Sequence, residues 1–430
     1  MLLLILRRRA VVIVALLVCL LCAGRPQARS RGEMTLYRDG LVWTGSGFES
    51  RDLAVRDGRF IEPGSATVGA HIVDLRGRYV VPAYANAHVH QTPATEEASE
   101  RALGSGVFYA WNPNTVVTSE TTKAFFARPD TYDVAVAQGG ITEPRGHPEW
   151  LYLNVVGPRA HPDWTLEDFL GNAFHYGRTH NEIDVALDEL VSQRADFVKA
   201  YLLFSEDYES RRGMNPYLGR SPANAGSGIN PANARYLVEA AARRGFKAAF
   251  HVETAADLVT AAESGAAMAA HLPGYWMGDL AEDSPRRSLT VDEACRIAAT
   301  SMLLVPTYSF AAVNTPAGED GVSALTRGVQ ARNLWLLANA GGTLLTGTDH
   351  SIAIFAEAEH LASLDVLTPV EVLNIVLGTG AHLFPERRIG CFERDCEADF
   401  LVLSENPLGD IGALRSIDMR IKAGRSMARP

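Results

Sequence analysis

The chain has 430 residues, 47% hydrophobic and 21% charged, with a formal net charge of -10. This is the composition of a folded globular protein, neither disordered nor fibrous. The acidic balance, with no long basic stripe and no helix-turn-helix pattern, argues against nucleic acid as the partner. The length is sufficient for a barrel of about 250 residues plus a smaller unit.

Arg7, Arg8 and Arg9 precede an apolar run from Ala10 to Ala23, followed by the polar stretch Gly24 to Arg31. A basic region, a short hydrophobic core and small residues near its end describe a secretory signal peptide over residues 1–30, so an exported, periplasmic or secreted protein is expected. The core is shorter than the ~20 residues of a membrane span, and no stable span is expected after cleavage. An uncleaved anchor is the alternative if Met1 to Leu6 lengthen the segment. Val18 and Leu21 precede Cys19 and Cys22, which argues against a lipoprotein-type cleavage site. In the remaining chain Cys391 and Cys396 are close enough to pair in an oxidising compartment, and Cys295 falls in a helical pattern where a buried apolar role is expected.

From Met34 to Tyr79 short β-prone runs alternate with Asp-Gly turns, as at Asp39-Gly40 and Asp57-Gly58, which is a hairpin signal. Asp399 to Leu403 and Ile417 to Lys422 repeat the style. Residues 31–79 and 385–430 are therefore expected to form one small β domain around a central unit at 80–384, since chain termini often lie close together.

In that central unit apolar strand-like runs alternate with helical patterns. The expected strands are the run ending at His88 and His90, then Gly106–Ala110, Trp150–Val156, Phe197–Tyr201, Ala248–Val252, Ala267–His271, Met302–Thr307 and Thr343–Asp349. Helices are expected at Asn233–Arg244, Ala255–Ser264 and Ser323–Asn339. Eight alternating units point to an α/β fold with a parallel sheet closed as a (β/α)8 TIM barrel. An open doubly wound sheet competes, but no Gly-x-Gly-x-x-Gly stands at a strand–helix turn. Gly139 to Pro148 reads as a turn-rich loop, and Ser205 to Pro231 as a long loop of the kind that overhangs a site.

Chemistry-bearing residues stand where barrel strands end. His88 and His90, two apart on an extended run, point to the same side and make half of a metal site. Lys199 lies inside Phe-Val-Lys-Ala-Tyr, where an unpaired ammonium is expensive to bury; burial would leave a neutral amine. His251, His271 and Asp349 end later strands. Each alone has an ordinary reading: a core histidine, a helix-capping aspartate, a lysine reaching out to solvent. Their occurrence on successive strand ends is what points to one site. Tyr201, Tyr208, Arg211, Arg212 and Arg220 follow Lys199 and would clamp a substrate carboxylate, with solvated loop charges as the plain alternative. His147 and His161 lie on loops near the expected mouth, and His175, His180, His350, His360 and His382 are left as structural.

With these residues in place, the chain after its leader resembles the metal-dependent amidohydrolase superfamily. The resemblance rests on Pro82 through His90, on Phe197-Val198-Lys199, on His251, His271 and Asp349, and on a C-terminal return from Gly390 to Leu403 with Asn406-Pro407-Leu408. Ala83 and Asn86 depart from the family's usual Pro-Gly and Asp. The resemblance implies a barrel with a small β-sandwich built by both chain ends. It also implies two divalent metal ions, zinc with manganese as the alternative. His88, His90 and Asp349 would hold one ion and His251 and His271 the other, with an N6-carboxylated Lys199 bridging them. Asp349 and Lys199 become the catalytic residues, and an amide or peptide-type C–N bond of a dipeptide or N-acyl amino acid becomes the target. A lactone or phosphoester hydrolase on the same site, or a non-catalytic metal-binding barrel, remains the alternative. A homo-oligomer is compatible with this reading.

Overall fold

The computed structural model describes residues 34–65, 69–211, 228–276, 284–314 and 320–427. The leader expected at residues 1–30 lies outside them, as do Arg212, Arg220 and the side chain of Arg211. Among the described residues no helix is long and apolar enough to cross a membrane.

The N-terminal part folds as β1 (Thr35–Trp43), β2 (Phe48–Arg56), β3 (Arg59–Ile61), β4 (His71–Asp74) and β5 (Tyr79–Pro82). β1 and β2 pair antiparallel, β2 and β3 turn at Asp57-Gly58 with both residues at positive φ, and β5 runs parallel to β1. The run expected as one strand into His88 is therefore divided. Its first half, to Pro82, belongs to this outer sheet, and a new strand, β6 (Tyr84–Asn86), begins two residues later.

Next come β7 (Val107–Asn112), β8 (Asp133–Val136), β9 (Gly140–Thr142), β10 (Phe174–Tyr176), β11 (Val198–Tyr201), β12 (Ala248–His251), β13 (Met268–Ala269), β14 (Leu303–Leu304) and β15 (Thr343–Leu344). They form two parallel sheets, β6-β7-β8 and β10-β9-β11-β12-β13-β14-β15. Asp196 N donates to Val136 O at 2.9 Å, joining β8 to the start of β11. At the other end Ala87 N donates to Thr346 O at 2.8 Å, and Val89 bridges Asp349 in parallel. Helices at Ala234–Arg243, Ala255–Glu263 and Asp320–Asn339 fall where periodicity places them. Leu237, Ala240, Ala241, Leu258 and Ala261 supply part of the apolar layer against the strands.

Two expectations are corrected here. Trp150–Val156 is not a strand: Glu149–Leu151 is helical and Tyr152–Val156 continues as a π-helix. An apolar run without alternation is compatible with either state, and here Tyr152 packs on Phe169 with ring centroids 5.7 Å apart. The strand position it was meant to fill is taken by β8 and β9, the second of them within the stretch read as turn-rich. Gly139 and Gly140 gave that impression, but they serve close approach: a Cβ on Gly140 would lie 2.6 Å from the Tyr201 ring and one on Gly139 2.8 Å from the Ala173 backbone. Cys295 does lie on a helix (Val291–Ala298), but it is exposed; Ala294 and Ile297 are the residues turned inward.

The chain ends with β16 (Phe400–Leu403), β17 (Ile417–Lys422) and β18 (Arg425–Ser426). β16 pairs antiparallel with β5, so both chain ends share one eight-stranded sheet in the order β18-β17-β16-β5-β1-β2-β3, with β4 on β1. Cys391 and Cys396 are joined by a disulfide beside it. Tyr84 O–H donates to Leu414 O at 3.0 Å and Lys422 Nζ to Asp133 at 2.8 Å, tying the outer sheet to the parallel ones.

Candidate metal centre

His88 and His90 follow β6, and their placement depends on Asn86. Its Oδ1 accepts from His88 N at 3.1 Å, while its Nδ2 donates to Thr348 Oγ1 at 3.0 Å and Ser351 O at 2.8 Å. A neutral amide can do both, so Asn86 stitches the histidine turn to the loop after β15. Gly347 lets that loop pass: a Cβ there would sit 2.4 Å from Val305 and 3.0 Å from His88 N. Asp349, at φ 66° in the left-handed region, then aims its carboxylate at both rings. Its Oδ1 lies 3.4 Å from His88 Nε2 and 3.2 Å from His90 Nε2, and the two ring nitrogens are 3.2 Å apart. These three residues offer donor atoms within 4.8 Å of one another, close enough for one cation.

His271 and His251 complete a row of imidazoles. Ring centroids are 4.3 Å apart for His88 and His271, and 4.7 Å for His271 and His251. The outer nitrogen of several rings is committed, which sets the tautomer. His90 Nδ1 faces Asn114 O at 2.9 Å and therefore carries the hydrogen. Thr307 Oγ1 donates to Pro306 O at 2.8 Å, so it accepts from His271 Nδ1–H at 2.8 Å. His251 Nε2 faces the Glu253 carboxylate at 3.1 Å, which makes Nδ1 its basic nitrogen. Glu253 is held in turn by Tyr275 Oη at 2.8 Å and Arg287 Nη1 at 2.8 Å. Each imidazole so oriented presents a lone pair, as a metal ligand must.

Lys199 sits on β11 in register with Ala249 of β12, and is 1% exposed. Burial holds its amine down to about 7, with the Asp349 carboxylate pulling the other way. Burial also lowers His88 to about 3 and holds His147, His251 and His271 below the usual histidine range. Burial would raise Asp349, but His88, His90 and His271 outweigh it and keep the carboxyl well below its usual range.

A stability prediction follows from the sign of these shifts. Below pH 6.5 the unfolded chain protonates these four histidines while the metal-free fold does not, so stability falls as pH drops, with each contributing up to about 1.4 kcal/mol per pH unit. Buried Glu357, raised to about 7, opposes this in part between 4.5 and 7. Urea midpoints of metal-free protein are expected to be lower at pH 5.5 than at pH 7.5; equal midpoints would contradict the assignment of neutral buried rings.

The predicted residues meet on one cavity of about 710 Å³, lined by His90, Lys199, His251, His271 and Asp349, with His88 beneath. Tyr201 lines it as well, whereas Tyr208 is buried and donates to Glu143. His147 enters the site more fully than its loop position suggested: its ring stands 4.9 Å from that of His251 and 5.1 Å from that of Tyr201. His161 lines the outer wall, stacked on Trp164 at 4.2 Å. His175 bonds Glu189 and His360 bonds Gln330 away from the cavity. Sequence reasoning passed over Glu253, Thr307, Asn114 and Arg287. Glu253 had a signal, two residues after His251 and thus on its face; Asn114 and Arg287 had none, because only folding brings them near.

No protein-family model and no curated protein sequence matches the chain. Solved structures do resemble it. A crystal structure of an amidohydrolase is 19% identical with a TM-score of 0.69, over 92% of this chain and 99% of that one. A putative prolidase from Bifidobacterium longum is 18% identical with a TM-score of 0.68, over 93% and 96%. An Xaa-Pro dipeptidase with methionine bound in its active site is 15% identical with a TM-score of 0.67, over 92% and 99%. Those proteins are hydrolases acting on C–N bonds; what this chain shares with them at such identities is the fold, an α/β architecture with parallel sheet.

Proposed function

We propose that the protein is a metal-dependent hydrolase cleaving an amide or peptide-type C–N bond, of the dipeptide or N-acyl amino acid class. One observation carries this reading: His88, His90, Lys199, His251, His271 and Asp349 converge from separate strand ends, with three of the histidines held by their outer nitrogens. The donor set fits two divalent cations, zinc or manganese. His88, His90 and Asp349 form one cluster, and His251 and His271 offer the second. Lys199 lines the same cavity and would bridge the two, and an amine with a pKa of about 7 is neutral often enough to add CO2 as a carbamate. Bound cations of this kind polarise a carbonyl and make water acidic.

The chain's own side chains carry the rest. Asp349, kept ionised, accepts the proton of the attacking water and returns it to the departing nitrogen. Tyr201 and His147 narrow the approach to the reacting carbonyl. Under the same reading the two parallel sheets act as one (β/α)8 barrel, closed through Ala87–Thr346 and Val89–Asp349. Residues 31–79 and 385–430, with β5 to Pro82 added, make the accompanying β domain. Export is supported by the basic-apolar leader and by the Cys391–Cys396 disulfide, since such bonds persist in oxidising compartments.

The test is Asp349→Asn in protein expressed with zinc or manganese. Turnover of dipeptides and N-acyl amino acids is expected to fall by about 10²–10⁴-fold, the usual worth of a general acid–base, with metal content largely retained. A wild-type protein that carries no metal, or that turns over lactones or phosphotriesters and no amide, would refute the reading.

A further inference from the structure

The metal-ligating side chains form only the floor of the 710 Å³ cavity, and its walls have another character. The helical segment after β9 brings Trp150, Leu151 and Val156 to the cavity, and Trp276 and Phe310, with ring centroids 5.9 Å apart, line it as a second aromatic group. Two of the polar groups in these walls, Asn114 and Tyr275, have their hydrogen bonds turned inward. Asn114 accepts from Gly140 N at 2.6 Å and donates to Tyr152 Oη at 2.7 Å and Ala173 O at 3.1 Å. The Tyr275 hydroxyl donates to Glu253 and its ring stacks on His271 at 4.0 Å. Beside the polar side chains of Gln91, Thr115, Arg145, His161 and Asn314, what the walls offer a ligand is mainly ring faces and alkyl carbon. Outside the floor, Arg145 is the one charged side chain among the described lining residues. A volume in this range suits a drug-sized ligand, several times what a dipeptide of two small residues fills.

We propose that the scissile amide carries a bulky, uncharged aromatic group, as in an N-aroyl amino acid, seated between Trp150 and the Trp276–Phe310 side. This rests on the amide-hydrolase reading and names its substrate class. Aromatic side chains gain from offset or edge contacts with another ring, in addition to apolar burial. The π-helical turn at Tyr152–Val156 belongs to the same wall, and such turns are frequent where a helix is shaped for a ligand.

The metal-loaded protein decides it. The kcat/KM for N-benzoylalanine should exceed that for N-acetylalanine by at least ~30-fold, within the range that apolar pockets discriminate. Trp150→Ala and Phe310→Ala should each narrow that ratio about fivefold or more. Equal kcat/KM values, or N-decanoylalanine preferred to the benzoyl compound by about tenfold, would overturn the aromatic assignment while leaving amide hydrolysis standing. Should no amide be turned over, the hydrolase reading fails, and calorimetric titration of the same protein with the two N-acylalanines still judges the pocket. Binding of the benzoyl compound about tenfold tighter supports it, and equal affinities end it.

Discussion

Lys199→Ala is expected to lower turnover by on the order of 10³-fold or more and to remove most of the bound metal, without unfolding the protein. The lysine is nearly inaccessible, and burial moves its amine from an ordinary 10.5 to about 7. The unfolded chain takes up the proton below pH 10.5, while the folded one does so only near 7. Lysine at this position therefore destabilises the metal-free fold increasingly as pH falls from 10.5 to 7, on the order of several kcal/mol. Exchanging it for methionine should leave the metal-free protein at least as stable at pH 7.5, which separates a lost ligand from a lost fold. Metal content by elemental analysis, thermal melts of metal-free protein and carbon-13 NMR after labelling with CO2 are the measurements. A Lys199→Ala protein with full metal content and full activity would remove the carbamate from the scheme.

Arg287→Ala should cost about 3–5 kcal/mol of stability, the largest single effect expected away from the cavity floor. Arg287 and Glu253 are both fully buried, 2.8 Å apart. Arg287 Nη1 also donates to Trp276 O at 2.7 Å, whereas its Nε and Nη2 have no hydrogen-bond partner among the described residues. Removing the guanidinium strands the Glu253 carboxylate in a dry interior beside His251. Changing both partners together, as Glu253→Gln with Arg287→Met, should cost less than Arg287→Ala alone, because no charge is then left unmatched. Urea denaturation of the three proteins checks the order, and a loss under about 1 kcal/mol for Arg287→Ala would show that the pair is not isolated from water.

The residues that meet at the cavity floor could be picked out because they stand at or near strand ends. The two-residue spacing of His88 and His90 drew notice although both lie just past the end of β6, and an apolar frame explains why Lys199 stood out. Strand β9 was not legible, since Gly139 and Gly140 look like turn residues until the Ala173 backbone and the Tyr201 ring are seen against them. Trp150–Val156 failed for the complementary reason: strand and helix bury the same apolar letters, and only its packing on Phe169 decides. Cys295 was misplaced because one residue's shift around a helix turns a side chain by about 100° from core to solvent.

The sequence by itself determined the chemistry on offer: which donors exist, their order along the chain, and an alternation of strands and helices that needs a parallel sheet. Tertiary structure alone decided the tautomers of His90, His271 and His251, through Asn114, Thr307 and Glu253, and the aromatic character of the walls above the floor. Local pattern acts over a few residues, so it can specify a strand and the side its residues face. The lone pair a histidine presents depends on what its far nitrogen touches, and that partner can come from anywhere in the chain.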